Sequence, residues 1–302
     1  MNTRAGVAIG IASCCLGAGA AVATRFLVTA SDPVTLVAIR FGGGFLCVLP
    51  VALVLGATWP RRSDLPVVAG LGFLFYGVFF ILYNVALQFT TVARGTLAIS
   101  TLPLMTMAMA AVLGMEALSA RKTTGVLVAV LGVAVALTTG LASAPIGAWR
   151  GDLIMALATL CMALYSIYSR PYAARSSPLG VLTAGMAAGG LAMILASMVS
   201  GGFWRIGQFG AMELLAAAYL AVGGGALAFV LWIHALQLAS PTQVTNTMTV
   251  NPLVASLLAA AFLGEPITIH LAIGLAAVFA GILIATTGPL TAETGGRTTW
   301  TD

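Results

Sequence analysis

Charge is what this sequence has least of. Only 7% of its 302 residues are charged, Lys122 is the one lysine, and 60% are hydrophobic; the mean hydropathy is +1.07. So few charges cannot cover the surface of a soluble domain, so the chain must be dissolved in lipid. The formal charge of +5 comes from scattered basic residues rather than a patch, which argues for topology signals and against a nucleic-acid partner. Cys14, Cys15, Cys47 and Cys161 all fall in apolar stretches and give neither metal spacing nor a disulfide framework. With two histidines and no carboxylate in the middle of an apolar stretch, the chemistry of an intramembrane enzyme or a metal centre is missing. An ion channel would need a filter or a ring of like charges, and neither is present. No cofactor is expected.

What is there is a series of long apolar runs. Polar residues and prolines divide the chain into ten segments: 5 to 27, 33 to 56, 66 to 88, 92 to 114, 122 to 141, 151 to 170, 179 to 200, 212 to 238, 242 to 263 and 268 to 288. Each is long enough for a helix to cross a hydrocarbon core, which takes about 20 residues. A barrel would need shorter, alternating segments. The first run is too long for a signal peptide and reads as the first span. If the amino terminus is cytoplasmic, eight basic residues (Arg4, Arg61, Arg62, Arg121, Lys122, Arg170, Arg175, Arg297) lie inside and four (Arg25, Arg94, Arg150, Arg205) outside. That bias places both termini in the cytoplasm of an inner-membrane protein.

The pattern repeats. Ala86-Leu87-Gln88 recurs as Ala235-Leu236-Gln237, Pro103 as Pro252, Glu116 as Glu265, Gly125 as Gly274 and Gly132 as Gly281, each 149 positions later. Arg25 and Pro33 recur as Arg170 and Pro178 at an offset of 145. Five spans per copy is an odd number, so the second copy enters the membrane from the opposite side. The expected fold is therefore an all-α integral membrane protein, ten transmembrane helices in two inverted-topology five-helix repeats. The repeats run from 1 to 141 and 151 to 288, joined by an external linker, 142 to 150, and followed by a cytoplasmic tail, 289 to 302.

Two five-span halves, each with an Ala-Leu-Gln helix end, a mid-helix proline and a Leu-Gly/Glu element (Leu113-Gly114-Met115-Glu116; Leu263-Gly264-Glu265), resemble the EamA-type repeats of the drug/metabolite transporter superfamily. The resemblance covers residues 5 to 288. It implies an exporter working by alternating access, with a cavity lined mainly by the third, fourth, sixth, eighth and ninth helices. Within the superfamily the closer likeness is to the aromatic amino acid exporters.

Polar groups in hydrocarbon are costly unless satisfied, so those inside spans are the candidates for function. Arg40 is the one charge well inside a span; it either meets a substrate carboxylate, or snorkels toward water or bonds to carbonyls. Tyr76, Phe80 and Tyr83 follow one face of the third helix beside Asn84, and the second copy sets Trp232 opposite Tyr83 and His234 opposite Val85. Tyr165 and Tyr168 mark the sixth helix. The ninth carries Gln243, Thr245, Asn246, Thr247, Thr249 and Asn251 before Pro252, and a lipid-facing helix could not hold so many polar groups. These positions read either as a cavity or as packing between helices. Pro103 and Pro252 free backbone carbonyls and permit bending. His234 is the titratable group in reach that could switch near neutral pH. The expectation is a monomeric exporter of small metabolites, aromatic amino acids favoured, that lets its solute run down its own gradient, with a proton-coupled antiporter as the alternative.

Overall fold

The structure is a computed structural model that describes residues 3–115, 120–139, 144–239, 244 and 247–286, and among these the chain is helical throughout, with no strand. Asn246, with Gln243, Thr245, Glu116 and the tail 289–302, lies outside the described residues. The main helices are α1 (Thr3–Leu27), α2 (Pro33–Val54), α3 (Leu65–Phe89), the broken pair α4 (Val92–Ile99 and Leu102–Val112) and α5 (Ala120–Thr139). The second half supplies α6 (Ala148–Tyr168), α7 (Pro178–Ser200), α8 (Ala211–Leu238), α9 (Thr247–Leu263) and α10 (Ile269–Thr286). Six of the described helices are long and apolar enough to cross a membrane, seven if the bent pair is one span; α5, α9 and α10 hold shorter apolar helices.

Local sequence sets where these helices start and break. Asp32 caps α2 through the Val34 and Thr35 N–H groups, and Ser177 caps α7 through the Gly180 N–H; each is followed by a proline at the first helical position. The two caps stand 145 residues apart, the offset of the early repeat. α4 is interrupted at Ser100 and Thr101, with a 40° bend: Pro103 has no N–H to give the Ile99 carbonyl four residues back, and its ring crowds that turn. Its counterpart α9 opens with a tight 3-10 turn, Thr247–Thr249, before the α-helix that holds Pro252.

The packing of the helices is unchanged when the halves are exchanged. α1 packs on α8 and α9 as α6 packs on α3 and α4; α2 lies on α8 as α7 lies on α3; and α2 with α7, α4 with α9 and α5 with α10 form pairs of counterparts. Small residues make these crossings possible. A Cβ at position 225 would lie 2.1 Å from the Arg40 carbonyl oxygen, and one at position 72 would lie 2.4 Å from the Gly185 Cα. The helices therefore touch backbone to backbone, which is how apolar helices gain contact where lipid removes the hydrophobic drive to associate. The triple glycine Gly223-Gly224-Gly225 makes such a close crossing.

Three π-helical turns interrupt the α-helices: Ala38–Gly42 in α2, Phe73–Phe79 in α3 and Leu220–Leu227 in α8. The last two fall on nearly matching stretches of the repeat. The first has no counterpart, since α7 is regular across its equivalent residues. A π turn inserts one residue, loosens the hydrogen-bond ladder and commonly marks a functional position. In α2 the residue it carries is Arg40.

Candidate functional site

Where α2, α3, α6 and α8 meet, aromatic rings fill the interior. Phe41 of α2 touches Tyr76, Phe80 and Phe229, with centroids 5.1, 4.3 and 5.9 Å away. Phe75 lies almost parallel to Tyr165 of α6, at 4.4 Å and 14°, and Tyr76 meets Tyr165 edge to face. Phe79, Phe80 and Tyr83 continue the cluster along α3. Both halves contribute, as expected for a site between repeats. Phe229 is the counterpart of Phe80 at the 149-residue offset, and both rings reach Phe41.

Arg40 sits at the edge of this cluster, 7% exposed. Its guanidinium carbon stands 4.5 Å from the Phe80 ring centroid and 5.3 Å from that of Phe41. One terminal nitrogen donates to the Gly224 carbonyl at 3.3 Å, while the Nε–H, also buried, meets no acceptor.

The other expected residues are placed less uniformly. Tyr76, Phe80 and Tyr83 are buried in the cluster and Tyr165 is packed against it, whereas Tyr168, 40% exposed, lies outside it. Trp232 does not face Tyr83: the last turns of α8 pack on α1, and the indole is taken up with Ile9, Ala235, Ala239 and Val244. His234 is exposed and exchanges a hydrogen bond with Gln237 on its own helix. Two positions from Trp232 on a helix is nearly the opposite face, so the histidine is carried away from the cluster. Asn84 donates to the Pro33 carbonyl at 3.0 Å and Asn251 to the Cys14 carbonyl at 3.2 Å. Each amide ties its helix to a neighbour.

Sequence reasoning passed over a second feature, at the end of the bundle where α1, α3, α5 and α9 finish and α4, α6 and α10 begin. Arg94 pairs with Asp152, the two side chains 10% and 11% exposed, and also donates to the Leu137 carbonyl, while the Thr90 hydroxyl donates to the same aspartate. Arg25 stands 3.5 Å from Glu265 and donates to the Leu87 carbonyl at 2.6 Å. The other oxygen of Glu265 accepts the Val92 N–H at 2.9 Å, capping the first turn of α4. Next to these pairs, Thr91, Arg94, Leu97, Thr268 and His270 line a cavity of about 30 Å³, room for roughly one water molecule. Glu265 had stood out only as half of a repeated element.

A bundle that is all-helical among the described residues, with apolar spans and exchangeable halves around an aromatic interior, is the architecture of a multi-pass membrane protein. The pattern of the EamA-like transporter family matches residues 4–138 and 149–287, one match for each half, and the chain belongs to that family. It is 26% identical over 211 residues to an uncharacterized transporter, YyaM, of Bacillus subtilis (strain 168), which takes in 68% of this chain and 67% of that relative. A solved structure described only as the crystal structure of a protein superposes with a TM-score of 0.68 at 24% identity, covering 98% of this chain and all of the other, and supports the fold.

Proposed function

We propose that the chain crosses the inner membrane ten times, in two five-helix repeats of opposite topology with both termini cytoplasmic. In this reading it exports small metabolites, aromatic amino acids first among them, by alternating access. The observation that carries it is the ring cluster, built from α2 and α3 of one half and α6 and α8 of the other, so that any relative movement of the halves would part the rings and expose the space between them. The break in α4 and the 3-10 turn that opens α9 supply bending points beside the matched prolines Pro103 and Pro252. The buried ion pair of Arg94 with Asp152 would hold closed the end that the basic-residue bias assigns to the outside.

Counterflow of labelled phenylalanine, tyrosine and tryptophan in proteoliposomes, against sugars and nucleosides, tests the substrate. Phe80→Ala and Tyr165→Ala are expected to weaken half-saturation by up to about tenfold each, since a ring contact is worth about 0.5–1.5 kcal/mol beyond its area. Unchanged exchange in both variants would sink the cluster as the binding site.

Movement down the solute's own gradient is the simpler coupling, but Glu265 favours a proton-linked reading as the second. Burial raises its carboxyl above the ordinary carboxylate range, outweighing the pull of the Val92 N–H and Arg25. The closed arrangement then holds the proton more tightly than a solvated one. Its stability is fully present below the solvated pKa and is lost as the pH rises through the closed-state value, so acid favours closure. A cysteine introduced at Thr91 is expected to be labelled more slowly in acid than at neutral pH by more than the loss of thiolate alone brings, with that excess abolished in Glu265→Gln. Equal pH dependence in the two proteins would exclude this carboxyl.

A further inference from the structure

Arg40 carries a chemical demand that the protein leaves unmet, and what it asks for rests on the transport reading above. A guanidinium at this depth costs several kcal/mol unless it is paired. Its position over Phe80 returns only part of that cost, and one long hydrogen bond to Gly224 adds little. Among the described residues the ion pairs engage Arg25, Arg94 and Arg175, and none engages Arg40. Its Nε–H is buried without an acceptor. The π turn that presents it occurs in α2 and not in α7, where Gly185 stands at the equivalent position. The repeated frame thus holds one cation, on one side, against a wall of rings.

We propose that Arg40 binds the carboxylate of the transported solute and that the site selects aromatic carboxylates whether or not they carry an α-ammonium group. A carboxylate can take two parallel N–H bonds from a guanidinium, satisfying the Nε–H together with a terminal nitrogen. The attached ring would then lie among Phe41, Phe80 and Phe229, which the same anchor places within reach. An ammonium finds no such counterpart: the described carboxylates, Asp32, Asp64, Asp152, Glu213 and Glu265, all stand at helix ends. The anion is therefore the recognised group and the amine a bystander.

The full chain, reconstituted and in detergent, tests this with four probes that differ only in their polar end: 3-phenylpropanoate, phenylalanine, phenethylamine and 3-phenylpropanamide. In counterflow competition against labelled phenylalanine, the acid should compete at least as well as phenylalanine, and the amine and the amide should be about tenfold weaker or worse. Arg40→Met should erase the preference for acid over amide, and Arg40→Lys should keep part of it. An amine or amide that competes as well as the acid in the wild-type protein overturns the proposal, as does an Arg40→Met variant that still discriminates. Thermal stabilisation by the same probes separates this from the transport reading. Stabilisation by the acid and not the amide, without exchange of phenylalanine, keeps Arg40 as an anion site and refutes aromatic transport. Stabilisation by neither, in protein that is monodisperse, refutes the anion site.

Discussion

Arg94→Ala is expected to lower the stability of the purified protein by about 3–5 kcal/mol, the cost of leaving one member of a buried ion pair without its partner. Asp152 is 11% exposed and would keep only the Thr90 hydroxyl as a donor. The Leu137 carbonyl would lose its donor as well, so the ends of α4, α5 and α6 would loosen together. Removing both charges, with Arg94→Leu and Asp152→Leu, takes away the stranded carboxylate and should recover most of the loss, since buried pairs are often replaceable by apolar residues at little cost. Unfolding in mixed micelles, compared across the single and double variants, measures both. A single variant as stable as the parent would mean that water reaches Asp152 freely.

Gly225→Ala should have the other large effect. The added methyl would lie 2.1 Å from the Arg40 carbonyl oxygen, a backbone atom that cannot rotate away, so α2 and α8 must separate. Overpacking of this kind costs about 1–3 kcal/mol, and more where backbone must move. Because the displaced segment is the π turn bearing Arg40, transport should fall further than stability. Gly70→Ala on α3 is the control: nothing stands within 4 Å of its Cβ position. There the better helix propensity of alanine should leave the protein unchanged or up to about 1 kcal/mol more stable. Thermal unfolding and counterflow on both variants separate the outcomes. Equal behaviour of the two glycines would remove the crossing as the cause.

Much of the architecture was readable from residues alone, because in lipid the spans must be apolar and the repeat writes its landmarks twice. Pro103 marks the break in α4, and Pro252 stands just beyond the 3-10 turn that opens α9. The offset of 149 also held the key to the cluster, since it pairs Phe80 with Phe229; attention went instead to Tyr83 and Trp232, which are larger and more polar. What the offset cannot convey is rotation. The turns of α8 beyond Phe229 lean on α1, so Trp232 and His234 leave the axis that Tyr83 keeps. The ion pairs were invisible for a different reason. Arg94 and Asp152 are 58 residues apart and belong to different repeats, and only the packing of α4 on α6 brings them together. Arg40 was legible as an oddity of composition. Its missing acceptor and its π turn required coordinates.

Glu265 deserves to be followed one step further, because a single carboxylate serves three helix ends. It accepts the first N–H of α4 and pairs with Arg25 at the end of α1, whose guanidinium also reaches the last turns of α3 through Leu87. In the alternating-access cycle proposed above, these links would be given up together, so α1, α3 and α4 would release that end in one cooperative event. The bundle would then dwell in discrete states and cross between them rarely, and it is that crossing, rather than capture of the solute, that would set the pace of turnover.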